Sequence, residues 1–353
     1  MRSSTKAYKP YMITSFFLAF ALILIGSALK AQASDNQSVT LRVHQFLPSN
    51  AGVPQHVITK WIDDVSKASN GRIKFQRFPS MSLGGTPPEL YDQAVDGVAD
   101  VIWTLSGYTP GRFPEAEVFE LPFMMNSSEA MSRAYWQLAQ DTLINDEMAD
   151  THVLGLWVHG PGIIHSKKPI RAIDDLKGVK LRAPTRVITK LFKNLGAESI
   201  SMPVPAVPEN LAKGVIDGTA IPWEVAPGLK IPELVNNHTE FPGNALYSAT
   251  FIFTMNKAKY QSLPDDLKAA IDSASGLAFS AYAGRKMQEI DAIARANIKS
   301  AGNNIIELSD DEIKTWRQAS QSTIDEWVVE MNNRGIDGQA ILDKARALIL
   351  QNE

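Results

Sequence analysis

The sequence contains no cysteine among its 353 residues. This absence excludes a disulfide scaffold, a zinc–thiolate site, an iron–sulfur cluster and a cysteine nucleophile. An excess of positive charge is also lacking, because 35 Lys and Arg residues are outnumbered by 38 Asp and Glu residues and the net charge is −3. Nucleic-acid binding depends on neutralising phosphates with Lys and Arg, so the sequence is a poor candidate for that class of protein.

Familiar catalytic motifs are absent as well. The sequence has no G-x-S-x-G nucleophile motif, no phosphate-binding Walker loop and no H-E-x-x-H zinc motif. Its six histidines include no pair spaced four residues apart, the spacing that would place two imidazoles on one helix face. Asp92, Asp96 and Asp100 recur at helical spacing, and we interpret them as a solvated helix face with its capping groups. We therefore expect no enzyme, no metal site and no cofactor.

One long apolar run is present, at residues 11–29. Three basic residues precede it (Arg2, Lys6 and Lys9), and a small-x-small triplet ending at Ala33 follows it. These three parts are typical of a secretory signal peptide, with cleavage expected after Ala33. The alternative is a retained membrane anchor, because the run approaches the length of a spanning helix. Removal of residues 1–33 would take away four positive charges and change the net charge from −3 to −7, and an acidic, cysteine-free exported chain suits the periplasm.

The rest of the sequence alternates between strand-like and helix-like segments. The composition, 44% hydrophobic and 21% charged, is that of a globular protein, and the length predicts two domains. Strands are predicted at Val39–Val43, Ile73–Phe78, Val98–Trp103, Val153–Val158, Val179–Pro184, Gly218–Pro222 and Thr250–Met255. Helices are predicted from Pro54 onward, at Pro87–Gly97, Glu129–Ala139, Arg186–Leu195, Asn210–Lys213, Asp310–Asn333 and Asp337–Leu350. This order predicts two α/β lobes.

A further helical stretch is predicted at Pro264–Ser300, with breaks at Gly276 and Gly284. At 1.5 Å per residue such an element could exceed roughly 45 Å, which is longer than one small domain needs. We expect it to brace both lobes. No Gly/Ser linker separates the lobes, so several chain crossings and a hinge over a cleft are expected.

Five strings in order carry a resemblance to a known family. They are FPSMSLGG (Phe78–Gly85), VDGVADV (Val95–Val101), FELPFMM (Phe119–Met125), KKPIRAIDDLKGVKLRAP (Lys167–Pro184) and GVIDGTAIP (Gly214–Pro222). Together they resemble the solute-binding proteins of TRAP transporters, the DctP-type periplasmic receptors. The similarity runs from about His44 to Leu263, and the long helix and C-terminal helices match in kind.

The resemblance implies an α/β, two-domain periplasmic-binding-protein-like fold with crossing strands and a long bridging helix. We expect domain I at 34–159 plus about 247–286, and domain II at about 160–246 plus about 287–353. The resemblance also implies a monomeric periplasmic protein that binds a small organic acid in the cleft. Its expected macromolecular partner is a TRAP permease of two membrane subunits, and no nucleic acid is expected.

Arg182 is the residue that the resemblance marks most clearly, because the family's matching arginine pairs with the ligand carboxylate. A guanidinium suits that role, since it stays charged and offers parallel donors to two carboxylate oxygens. Other positions depart from the family pattern. Gly162 stands where the sialic-acid branch has a second arginine, Ile221 replaces a common asparagine, and residues 206–208 replace an E-V-Y string. These departures disfavour a sugar acid or dicarboxylate.

Three tryptophans, Trp103, Trp157 and Trp223, each end a predicted strand, where open α/β sheets place ligands. We expect them to line the cleft with Tyr108, although core packing is the alternative for each. Further candidates lie at the end of the first strand and beside the last tryptophan. They are His44, Gln45, Phe46 and Glu224, of which His44 can equally be a structural hydrogen-bond partner and Glu224 a helix cap or a partner for a cation.

An arginine facing several indoles suits a monocarboxylate with an aromatic or aliphatic body. A carboxylate-bearing onium zwitterion, such as a betaine or sulfonium compound, is the alternative, because aromatic rings also attract onium groups. Two further hypotheses are a periplasmic carboxylate-processing enzyme and an ABC-type receptor of similar architecture. The first would need a nucleophile–base pair, which the sequence does not supply.

Overall fold

The computed structural model of the protein describes Met1 and residues 38–243 and 245–353. The predicted signal peptide at residues 1–33 therefore lies, apart from Met1, outside the described residues. Within those ranges, no helix is both long and apolar enough to cross a bilayer.

Strands and helices alternate along the described chain. The strands are β1 (Val39–Gln45), β2 (Ile73–Phe78), β3 (Val101–Leu105), β4 (Thr151–Val158), β5 (Ile163–Ser166), β6 (Lys180–Ala183), β7 (Glu198–Ser201), β8 (Gly218–Ile221), β9 (Asn237–Glu240), β10 (Thr250–Asn256) and β11 (Asn304–Glu307). The helices are α1 (Thr59–Ala68), α2 (Leu90–Val95), α3 (Ser128–Asp141), α4 (Arg186–Asn194), α5 (Val207–Ala212), α6 (Ile231–Leu234), α7 (Lys257–Gln261), α8 (Asp265–Ser273), α9 (Leu277–Ser300), α10 (Asp310–Asn333) and α11 (Gly338–Asn352).

The strands form two separate sheets. The first has the order β2-β1-β3-β10-β4, and the second has the order β11-β9-β5-β8-β6-β7. In the first sheet β1 is parallel to β2 and β3, while β10 runs antiparallel to both of its neighbours. In the second sheet β5 runs antiparallel to β8 and β9, while β6 is parallel to β7 and β8. The predicted architecture of two α/β lobes is confirmed.

The chain enters the antiparallel strands β5 and β10 as it passes from one sheet to the other, and it passes a third time through α9 to β11. Residues 159–162 lead from β4 into β5, and residues 241–249 lead from β9 back to β10. These two crossings pair with each other, since the His159 N–H donates to the Ala249 carbonyl at 3.2 Å and the Gly162 N–H donates to the Tyr247 carbonyl at 3.0 Å. The crossings are thus hydrogen-bonded segments and not loose linkers.

Local sequence explains where the principal helices begin. Ser127 caps α3 by accepting a hydrogen bond from the Ala130 N–H, and Thr185 caps α4 in the same way from Ile188. The first helical segment buries Val57, Ile58, Trp61 and Val65, whose spacing places them on one face of the helix.

The long helical stretch differs from its prediction. Gly276, with a φ of +83°, separates α8 from α9, so the predicted break there is confirmed. The predicted break at Gly284 is wrong, because Gly284 lies inside α9, where its lack of a side chain lets α9 approach α3 closely. The bracing helix therefore has 24 residues and a length of about 36 Å, shorter than expected. It packs on α3 and β4, which belong to the side of the first sheet, and on the turn 223–225, which follows β8 of the second sheet.

The C-terminal helices divide between the two sheets. Helix α10 packs against α4, next to the second sheet, whereas α11 packs against α3, next to the first. The side chain of Asn352 donates to Gln137 at 2.7 Å, and Lys344 pairs with Asp141 at 2.8 Å. The domain boundaries given above stay a prediction. That prediction assigns α11 to domain II, whereas these contacts associate α11 with α3, which it assigns to domain I.

Candidate functional site

A cavity lies between the two sheets, and most of its lining comes from the carboxyl ends of parallel strands. It holds about 370 Å³ of space between atoms, part of which is open to solvent. Its apolar lining consists of Phe46, Leu47, Leu105, Pro184, Val204, Ala220, Ile221, Pro222, Val225 and Phe251. Its remaining lining consists of Trp103, Tyr108, His159, Arg182 and Glu224. A largely apolar cavity with a few polar groups is the usual form of a small-molecule site.

Arg182 lies in β6 and is only 1% exposed. Its Nε donates to the carbonyl of Met202 at 2.9 Å, and its Nη1 donates to the carbonyl of Ala220 at 3.0 Å. Its Nη2 is buried and makes no hydrogen bond with the described residues. Burial lowers the pKa of Arg182, and the neighbouring hydroxyl oxygens of Tyr108 and Tyr247 oppose part of that change. The guanidinium is therefore held in one orientation with one nitrogen free to bind an acceptor.

Aromatic rings form the side of the cavity that belongs to the first sheet. Phe46 stacks on Trp103 with ring centroids 4.3 Å apart and an interplanar angle of 22°. Tyr108 meets Phe46 edge-on at 5.5 Å, and Phe251 lies 5.1 Å from Trp103. The indole Nε1 of Trp103 is buried without a hydrogen-bond partner among the described residues. This wall offers apolar surface to a planar ligand and one spare donor.

The Tyr108 hydroxyl joins the wall to the second sheet's side of the cavity. It accepts a hydrogen bond from the Val204 N–H at 2.9 Å. Burial raises the pKa of Tyr108, and the charge of Arg182 opposes part of that rise. The phenol therefore keeps its proton and can donate it to an acceptor inside the cavity.

His159 follows β4 directly and is 3% exposed. Burial lowers the pKa of His159 to about 4, so its ring is neutral near neutral pH. Its Nδ1 lies within hydrogen-bond distance of the Gly160 carbonyl, which requires the proton to be on Nδ1. The other ring nitrogen, Nε2, is then an acceptor.

Glu224 lies in the turn 223–225 after β8 and is 6% exposed. Its Oε2 makes no hydrogen bond with the described residues. Its backbone N–H donates to Oδ1 of Asp291 on α9 at 2.7 Å. Burial raises the pKa of Glu224 to about 8. Burial, together with the neighbouring Glu224, raises the pKa of Asp291 well above its ordinary value. The Glu224 carboxyl is therefore protonated near neutral pH.

Trp157 and Trp223, which we expected to line the cleft, lie outside this cavity. Trp157 is fully buried behind Phe251 and packs against Phe253 and Phe279. Trp223 donates its indole N–H to Glu240 at 2.8 Å and lines a separate surface groove. The position of a residue at a strand end does not by itself decide the direction of its side chain. The ring of Trp157 packs in the core, and the ring of Trp223 lies on the face away from the cavity.

Gln45 and His44 also point away from the cavity. The side chain of Gln45 donates to the Leu47 carbonyl at 3.0 Å and accepts from Arg77 at 3.3 Å. The Nδ1 of His44 lies 2.6 Å from Oε1 of Gln93. Phe46 and Leu47, the two residues that follow β1, line the cavity instead.

Sequence reasoning did not select His159 or Phe251 for the cavity. Both positions were within reach of the strand-end argument, because His159 is the first residue after a predicted strand and Phe251 lies near the start of another. Phe251 was missed because β10 runs antiparallel, so its amino end, and not its carboxyl end, lies at this edge of the sheet. No sequence pattern announced the direction of that strand.

The position of the missing second arginine is closed by another side chain. A Cβ atom at Gly162 would overlap the ring of Tyr247. Tyr247 is 1% exposed and lies beside His159, with ring centroids 5.7 Å apart. An arginine at position 162 is thus incompatible with this packing, which agrees with the departure from the sialic-acid branch.

Further contacts join the two sides of the cavity beyond its rim. Thr185, the cap of α4, donates its hydroxyl to Glu120 at 2.6 Å, and Glu120 also accepts from the Thr250 hydroxyl at 3.1 Å. Arg186 pairs with Glu117 and, at 2.8 Å, with Glu330. The Thr185–Glu120 and Arg186–Glu117 contacts cross from one side to the other and hold this closed arrangement, while Glu330 pairs with Arg186 from the same side.

Glu120 makes the stability of this closed arrangement depend on pH. Burial raises the pKa of Glu120 to about 7 from an ordinary value of 4.5. Between these two values the folded protein keeps a proton that the unfolded chain has released, so stability falls as the pH rises through this window. We expect the Glu120→Gln variant to lose less thermal stability than the wild type between about pH 5 and pH 7.5. Thermal unfolding at a series of pH values measures this, and parallel curves for the two proteins would contradict it.

In residues 38–243 and 245–353, no cluster of three or more His, Asp or Glu side chains could hold a metal ion. The five polar side chains of the cavity include one cation, Arg182, and two titratable groups that are neutral near pH 7, His159 and Glu224. The arrangement can bind an anion and hydrogen-bond to a second polar group.

Comparison with known proteins agrees with this geometry. The family described as bacterial extracellular solute-binding protein, family 7 (DctP), matches residues 44–330. A TRAP solute-binding protein from Rhodoferax ferrireducens T118, solved with copurified benzoate, is 50% identical and has a TM-score of 0.88 over 89% of this chain and 98% of that chain.

Two other solved structures are similar over nearly the same length. A marine metagenome TRAP solute-binding protein from an unidentified microbe, specific for aromatic acid ligands and co-crystallised with 3-hydroxybenzoate, is 43% identical. Its TM-score is 0.88 over 90% of this chain and 100% of that chain. A TRAP periplasmic solute-binding protein from Bordetella bronchiseptica with bound (R)- and (S)-mandelate is 30% identical, with a TM-score of 0.82 over 89% of this chain and 100% of that chain.

These comparisons confirm the predicted two-domain fold and select the TRAP family over the ABC-type alternative. The family is extracytoplasmic, which confirms the predicted periplasmic location. The chain belongs to bacterial extracellular solute-binding protein family 7, the DctP-type solute-binding proteins of TRAP transporters.

Proposed function

We propose that this receptor captures an aromatic monocarboxylate with a single ring in the cavity around Arg182 and delivers it to a TRAP permease. The observation that carries the proposal is the buried guanidinium, which has a free Nη2 and no carboxylate partner among the described residues. An uncompensated buried charge is unfavourable. An anionic ligand that supplies the missing negative charge would remove that penalty on binding.

The remaining lining supports an aromatic body. Phe46 and Trp103 already stack on each other, so a ring placed against them would continue the stack and bury apolar surface. The benzoate, 3-hydroxybenzoate and mandelate bound by the similar proteins are acids of this kind.

An onium zwitterion is less well supported. The aromatic wall could attract its cation, but burial keeps Glu224, the acidic residue of the cavity lining, protonated near neutral pH, so this residue would add no opposite charge. A sugar acid or dicarboxylate would need more polar partners than this lining offers.

Capture and release, and not catalysis, fit the cavity's chemistry. Its polar groups are Arg182, Trp103, Tyr108, His159 and Glu224, and they include no serine or threonine to act as a nucleophile with the histidine. We therefore expect the bound acid to be recovered unchanged. Delivery to a permease is the role that membership of the TRAP family supports.

A ligand screen tests the proposal. We expect benzoate, 3-hydroxybenzoate or mandelate to raise the melting temperature of the protein lacking residues 1–33. A ligand at 100 times its dissociation constant adds about 2.7 kcal/mol, a rise of roughly 5 °C for a protein of this size. Cyclohexanecarboxylate is the matched control for the aromatic wall and should bind more weakly than benzoate. Stabilisation by glycine betaine or succinate and not by any aromatic acid would contradict the proposal, and so would conversion of the bound acid to a product.

A further inference from the structure

The placement of Glu224 is unusual for an acidic residue. Its side chain lines the ligand cavity and is only 6% exposed. Among the described residues, its Oε2 has no ion-pair or hydrogen-bond partner. Buried polar groups in folded proteins nearly always have a partner. Oε2 lies against Gly52, and the carboxyl as a whole lines the cavity without an ion pair, which points to a partner that arrives with the ligand.

The turn that carries Glu224 is held on both sides. Its backbone N–H donates to Asp291 on α9 at 2.7 Å, and the preceding residue, Trp223, is tied to Glu240 by its indole N–H at 2.8 Å. Gly52 packs against the carboxyl so closely that a Cβ atom at that position would collide with Oε2. The carboxyl therefore has a defined position before any ligand enters, and a preorganised partner adds to selectivity.

The charges around Glu224 decide which form of the carboxyl the ligand meets. Asp291 lies beside it and carries the same kind of group, His159 is neutral, and Arg182 forms no ion pair with Glu224. Nothing in the described surroundings compensates a negative charge, so the carboxyl is uncharged. An uncharged carboxyl has one O–H donor and further acceptor capacity, which matches a hydroxyl group and not a cation or a second carboxylate.

We propose that Glu224 is the specificity residue of this site, where it exchanges hydrogen bonds with a hydroxyl group on the body of the aromatic acid whose carboxylate Arg182 binds. The receptor then prefers a hydroxylated aromatic monocarboxylate to the unsubstituted acid. This inference rests on the proposed function, and it adds the second recognition element and the class of substituent. An acid without a hydroxyl would leave the buried carboxyl unpaired, which costs about 1–3 kcal/mol, or roughly 5–150-fold in affinity.

Calorimetric titration of benzoate and of 2-, 3- and 4-hydroxybenzoate into the wild type and three variants tests the inference. The quantity compared is the affinity of the best hydroxybenzoate divided by that of benzoate. We expect this ratio to be at least about fivefold in the wild type and to survive in Glu224→Gln, whose amide also donates and accepts. It should fall to about one in Glu224→Met, which has a similar length and no hydrogen-bonding group. Glu233→Met, the same change at an exposed position on α6, is the matched control and should keep the wild-type ratio.

The outcomes separate this inference from the proposed function. A wild type that binds benzoate and every hydroxybenzoate equally would overturn the inference and leave the proposed function standing. An unchanged ratio in Glu224→Met would also overturn the inference. The hydroxyl group would then have another partner, and Nε2 of His159 is an acceptor in the same cavity. Tighter binding of 3-(aminomethyl)benzoate than of any hydroxybenzoate would assign a cation to Glu224 and overturn it as well. A wild type that binds no aromatic acid would contradict the proposed function itself.

Discussion

Replacing Arg182 by alanine is expected to weaken the binding of benzoate-type acids by roughly 30-fold or more, which corresponds to about 2–5 kcal/mol. The reason is that the ligand carboxylate would be desolvated in the cavity without its cation. The backbone carbonyls of Met202 and Ala220, which now accept from Arg182, would also lose their partner. Isothermal titration calorimetry with the strongest ligand of the screen measures the effect.

Arg182→Lys and Arg171→Ala sharpen this experiment. Lysine keeps the charge but presents a single ammonium, which cannot serve Met202, Ala220 and a ligand with the geometry of the guanidinium fork. We expect its affinity to lie between those of the alanine variant and the wild type. Arg171 is exposed, and its alanine variant should bind like the wild type. A loss of less than about tenfold in Arg182→Ala would count against the central role of this residue.

Replacing Gly284 by valine is expected to have the largest effect on stability. A Cβ atom at this position of α9 would lie 2.5 Å from the Oγ of Ser132 on α3 and would also collide with the carbonyl oxygen of Ser128. Ser132 cannot turn away freely, because its Oγ accepts the Val158 N–H at 3.1 Å. The helices must therefore separate, and overpacking of this kind costs about 1–3 kcal/mol or more.

Thermal unfolding of the Gly284→Val variant should show a melting temperature lower by several degrees, roughly 2–8 °C. Ala296→Val is the matched control, because Ala296 lies on an exposed part of the same helix. Its valine variant should lose only the small difference in helix propensity. Equal melting temperatures for the two variants would show that α9 and α3 do not need their close approach.

Much of the fold could be predicted from the alternation of apolar segments. The strands from β1 to β4 and the helices that follow them have strong periodicity, and they lie within a few residues of their predicted positions. The strands β5, β7, β9 and β11 were not predicted; each has four residues, a length at which alternation is hard to detect, although β6 and β8 of the same length were predicted. Gly284 was interpreted as a helix break because local propensity disfavours glycine in a helix, whereas the packing of α9 on α3 requires it.

The candidate site could be predicted only in part. Phe46, Trp103, Tyr108, Arg182 and Glu224 line one cavity, as expected from strand ends and from the family resemblance, although their binding roles stay a prediction. The direction of a side chain at a strand end depends on the pleat and on neighbouring helices. Trp223 and Glu224 illustrate this, since they are adjacent in the chain and face different cavities.

The most direct test of the account is a crystal structure of the protein with benzoate or the strongest ligand of the screen. The account predicts a carboxylate oxygen about 2.7–2.9 Å from Nη2 of Arg182, with the ring against Phe46 and Trp103. A ligand whose carboxylate is held by other groups, with Nη2 of Arg182 still without a partner, would contradict it.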